Sequence, residues 1–110
     1  MNIELLDRVL AHIDADPLQW NQHSWHHCVA AHTAEVMGLQ WATNFEDPAQ
    51  YDFVVNEDGM AEHVAYYAER VLGLNLVEAD RLFALDNTRE DLQILRNWMV
   101  GEEPRVCASV

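Results

Sequence analysis

Lysine is absent from this chain, and its six cations, all arginine, stand against 19 Asp and Glu for a formal net charge of −13. Phosphate backbones are gripped by clustered Lys and Arg, so direct nucleic-acid binding is not expected. No apolar run approaches the roughly 20 residues that a bilayer-spanning helix needs. The N-terminus opens acidic and amphipathic, without the basic segment and apolar run of a signal peptide. Two cysteines, Cys28 and Cys107, make no disulfide framework. A cytoplasmic, thiol-reduced protein is expected, with no membrane partner. There is no glycine-rich phosphate loop and no Gly-x-Ser-x-Gly, and the carboxylate pairs are of the ordinary surface kind, so neither an enzyme nor a cofactor is expected.

What is present is half apolar, with four tryptophans in 110 residues, enough to close one core. The charge is uneven. Between Arg8 and Arg70 lie ten acids, all six histidines and no cation, whereas seven acids meet five arginines from Arg70 onward.

Apolar spacing predicts mostly helices. Ile3, Leu6, Val9, Leu10 and Ile13 form one stripe over 3–15, which Asp16-Pro17 stops. A second helix is predicted over 24–39, with Trp25, Cys28, Val29, His32, Val36 and Leu39 on one face. No helical period survives over 41–59. That stretch reads as an irregular loop or small hairpin, with one short strand at 51–55 and an Asn56-Glu57-Asp58-Gly59 turn. A helix over 60–72 ends at Gly73. Asn75 with Glu78 caps a short helix, and Asn87 or Thr88 starts the last one, which Gly101 closes. The expected fold is all-α, about five helices around one core. One domain spans 1–101 and a frayed tail spans 102–110. Trp25 and Trp98 are expected inside, against Leu6 and Val9 or their neighbours.

Reactive side chains concentrate at His23, His26, His27, Cys28 and His32. At about 100° per residue, a helix through all five turns Cys28 and His32 to the apolar face and the other three away. One ion cannot gather them. The simpler expectation is a core thiol, a core histidine with one hydrogen-bond partner, and a solvated histidine patch. Cys28 and His32 are the candidate metal pair, since i and i+4 ligands are geometrically sound, with His12, His63 or Cys107 completing it. A Cys28 nucleophile lacks an oriented base and an oxyanion hole.

Residues 64–85, bent at Gly73, have the outline of a helix-turn-helix, but the second helix carries Glu78 and Asp80 against Arg81 alone, the wrong sign for phosphate. Candidate partner-binding residues are instead Glu46, Asp47, Asp52, Glu57, Asp58 and Glu62. These six carboxylates, with no cation among them, oppose compact ordering unless a basic partner offsets them.

The run Trp20-x-Gln22-x-x-Trp25, then Cys28, Val71-Leu72-Gly73-Leu74, Glu78-Ala79-x-x-Leu82-Phe83 and Asn87-Thr88-x-x-Asp91-Leu92 resembles a group of uncharacterised small helical proteins of actinobacteria and their phages, including mycobacteriophages. The resemblance covers most of the chain outside 43–59. Members often carry a second cysteine soon after the first. Here Val29-Ala30-Ala31-His32 stands in that place, so a shared metal or redox role does not transfer. The resemblance implies no activity, only a cytoplasmic protein that is phage-encoded in many members.

Together these features point to a small acidic, non-catalytic protein-interaction module, a phage factor modulating a basic host protein. The alternatives are a metal-binding or redox-responsive protein using Cys28 and His32, and an acidic mimic of nucleic acid.

Overall fold

A computed structural model describes residues 2–22, 27–42 and 52–101. Helix α1 spans Ile3–Ala15 as its stripe dictates, with the Asn2 side chain accepting a hydrogen bond from the Leu5 N–H at its start. It buries Leu5, Leu6, Val9, Leu10 and Ile13, each worth roughly 1.5–3 kcal/mol of transfer free energy if a large aliphatic side chain is fully covered. After a 3-10 turn over Pro17–Gln19, the chain enters α2, Val29–Val36, whose residues from Val29 to Ala34 are buried all round. Ala30, Ala31 and Ala34 present little bulk, which lets α1 and α3 (Val64–Leu72) both pack against this central helix.

The fold is mixed, not all-α. Strands β1 (Gln40–Trp41), β2 (Phe53–Val55) and β3 (Ala61–His63) form one antiparallel sheet in the order β1-β2-β3. Val54 pairs with Glu62 in the β2–β3 register and is the one buried sheet residue among those described. The expected helix over 60–72 therefore begins later. The Asn56 side chain accepts from the Asp58 and Met60 N–H groups, and Gly59 takes a left-handed φ of 77°, closing a hairpin turn. That turn sends the residues after Met60 back along β2 as a strand. His63 then caps α3, its Nδ1 accepting from the Ala65 N–H.

Gly73, at φ 68°, ends α3 as expected. Reciprocal capping boxes open α4 (Leu76–Leu82) with Asn75 and Glu78, and α5 (Arg89–Met99) with Thr88 and Asp91. Buried Gln22 ties the ends of two helices together. Its amide nitrogen donates to the Leu82 and Ala84 carbonyls, and its oxygen accepts from the Val29 N–H.

Helix α5 is peripheral, with Leu92 its one fully buried residue. Two bidentate ion pairs strap it along α1. Arg89 donates to Asp14 at 2.8 and 2.9 Å, and Arg96 donates to Asp7 at 2.9 and 3.1 Å. The seven-residue spacing on each antiparallel helix brings both pairs to one seam. Trp98, expected inside, is 41% exposed, with the Arg81 guanidinium 5.6 Å from its ring centroid. The apolar stripe of α5 is wider than the core it covers. Leu6 and Val9 are fully buried as expected. Trp25, the first residues of the expected 24–39 helix and the tail over 102–110 lie outside the described residues.

Candidate functional site

Three side chains converge where α1 meets α2. His12 lies in the last turn of α1, His32 in the middle of α2, and Glu35 one turn further along α2. One potential ligand atom from each falls within 4.8 Å of the others. The two Nδ1 atoms are 2.8 Å apart, and His12 Nε2 is 3.7 Å from Glu35 Oε2. His32 is buried, whereas His12 and Glu35 keep 42% and 47% of their side-chain surface in solvent.

The hydrogen bonds fix the His32 tautomer. Its Nε2 lies 3.0 Å from the Gln19 carbonyl oxygen, which can only accept, so Nε2 carries the proton. In neutral His32 the Nδ1 lone pair is then directed at His12, whose Nδ1–H donates to it. Burial, above all, pushes the His32 pKa down and favours this neutral form, with the nearby His12 and His27 adding to it; the Gln19 carbonyl and Glu35 oppose the shift. His12 and Glu35 open onto a shallow groove also lined by Arg8, Ala11 and Val36.

Cys28 is not part of this group. The helix starts at Val29, so Cys28 is its N-cap, with extended backbone at φ −79° and ψ −179°. The expected i and i+4 phase between Cys28 and His32 assumed a helix already running at Cys28. The buried thiol has its pKa raised, chiefly by desolvation, and behaves as a small apolar side chain. His63, another suggested completer, is occupied at the α3 cap and lies edge-on to Phe53 and Tyr66. Cys107, His23 and His26 lie outside the described residues. Glu35 was missed from the sequence, although its three-residue spacing from His32 places both on neighbouring turns of one helix.

Of the six carboxylates singled out for a partner, Glu46 and Asp47 lie outside the described residues. Asp52 is half-buried beside β2, and Asp58 is exposed at the hairpin turn. Glu57 and Glu62 both meet Arg70, at 2.7 and 2.8 Å. Hydrogen bonds from its guanidinium lower both carboxyl pKa values and raise that of Arg70 itself. The cation that this acidic stretch lacks in sequence therefore comes from α3, eight residues beyond Glu62.

A second surface of interest lies between α4 and α5, where Arg81, Ala84, Asn87, Asp91, Ile94 and Leu95 line an open groove. Ile94 and Trp98, one turn apart on α5, are both exposed beside it. Among the described residues, no helix is long and apolar enough to cross a membrane. Comparison with protein families, with curated proteins and with solved structures gives no match.

Proposed function

We propose that this protein is a small acidic, non-catalytic interaction module that binds a protein partner through its α4–α5 face. The observation that carries the reading is the pairing of exposed Ile94 and Trp98 with Arg81 at the rim of an open groove. Trp and Arg are the residue types that dominate binding energy at interfaces. Here the Trp ring is already ordered beneath the Arg side chain, which reduces the entropy lost on docking.

The remaining acidity favours a partner with basic groups around the apolar contact. Asp91, which lines the groove, is one contributor. The resemblance described above adds that such a module would be phage-encoded, act in the host cytoplasm and modulate a host protein.

Affinity capture from host lysate with the wild-type chain and with an Ile94→Ala/Trp98→Ala variant tests this reading. A partner held by the wild type and lost by the correctly folded variant supports it. Equal capture by both chains excludes the α4–α5 face. Capture that survives the double variant and collapses as salt rises would instead favour an acidic mimic of nucleic acid.

A further inference from the structure

The His12–His32–Glu35 group contains more acceptors than its own protons can serve. The Gln19 carbonyl holds the His32 proton on Nε2 and leaves Nδ1 as an acceptor. His12 can serve that acceptor from its own Nδ1 at 2.8 Å. A neutral His12 then turns a bare Nε2 toward a carboxylate oxygen 3.7 Å away, lone pairs facing lone pairs. A metal ion relieves this conflict by taking the place of the shared proton, which leaves His12 with its one proton on Nε2.

We propose that His12, His32 and Glu35 bind one divalent first-row metal ion of the zinc class, independently of the α4–α5 surface. Two imidazoles and one carboxylate form a donor set suited to zinc or ferrous iron and poorly suited to magnesium or calcium. The hydrogen bond from a ligating imidazole to a backbone carbonyl is the outer-shell contact that orients such a ligand, and His32 already makes it to Gln19.

Zinc–nitrogen bonds of about 2.0–2.1 Å at tetrahedral angles separate two ring nitrogens by roughly 3.3 Å. The 2.8 Å pair must therefore open slightly, and the half-exposed Glu35 carboxylate must turn from His12 Nε2 onto the ion. His12 is free to give, because it sits half in solvent in the last turn of its helix. The remaining coordination position faces the groove lined by Arg8, Ala11 and Val36. The site is thus open and its ion exchangeable. Bound there, the metal bridges α1 to α2.

Titration calorimetry of the full chain with zinc chloride tests the proposal, with magnesium chloride as control. Cobalt(II) absorption identifies the donors. The expected result is one zinc per chain, no response to magnesium, and a cobalt spectrum without a thiolate charge-transfer band. His12→Ala and Glu35→Gln, both at exposed positions, should each weaken zinc binding by roughly tenfold or more. Cys28→Ser and a His23→Asn/His26→Asn/His27→Asn variant should leave it unchanged. Zinc should also raise the thermal midpoint of the wild type and not that of His12→Ala. No zinc binding, or binding that persists in His12→Ala and is lost in the triple histidine variant, overturns the proposal. A thiolate band would reassign the metal to a cysteine and overturn it equally.

Discussion

Gln22 is buried and uses both ends of its amide, so its removal is costly in a way that its polarity conceals. Gln22→Ala strands the buried Val29 N–H and takes a donor from the Leu82 and Ala84 carbonyls. The expected destabilisation is about 1–3 kcal/mol. Urea unfolding should show a lower midpoint at an unchanged slope. Cys28 gives a second expectation at this scale. With burial pushing its thiol pKa up, it should resist alkylation in the folded protein and react fully in denaturant. Peptide mass spectrometry reads this at Cys28 separately from Cys107. Cys28 and His32 differ in how legible they were. The core thiol followed from the apolar positions around Cys28. Nothing in the sequence announces that a backbone carbonyl at Gln19 sets the tautomer of His32.

At the scale of elements, caps and stripes were legible because their signals are local. The Asn75/Glu78 box, Thr88, Gly73 and the α1 stripe all appear in the structure where their residues stand. The strands were not legible in full. At two or three residues each, they are too short to show an alternation. β3 also lies in a stretch whose apolar spacing continues smoothly into α3. The seam between α1 and α5 was hidden for another reason, since its pairs join residues 75 and 89 positions apart.

That seam carries a pH dependence. Hydrogen bonds from the two arginines lower the pKa values of Asp7 and Asp14, outweighing partial desolvation. A carboxyl whose folded pKa is depressed contributes stability above its unfolded pKa, near 4, and loses it as pH falls through the folded value. Both aspartates are about half exposed, so each pair is worth only about 0.5–1 kcal/mol. The Asp7→Asn/Asp14→Asn variant should therefore be about 1–2 kcal/mol less stable than wild type at pH 7. The difference should shrink as both are acidified toward about pH 3. Parallel thermal melts of the two chains across that range measure it.

Across the whole molecule, a chain of net charge −13 keeps four of its arginines engaged within its own fold. Arg70, Arg89 and Arg96 hold carboxylates, and Arg81 covers Trp98. The outer surface is left acidic, with apolar side chains emerging on α4 and α5. On this account the partner contacts that apolar face, while the carboxylates tune its approach. The most direct test is an amide NMR map of the isotopically labelled protein titrated with its captured partner. The account predicts that the shifts cluster on residues 81–84 and 91–98, the Trp98 indole among them. Shifts confined to residues 52–62, with the α4–α5 face silent, would contradict it.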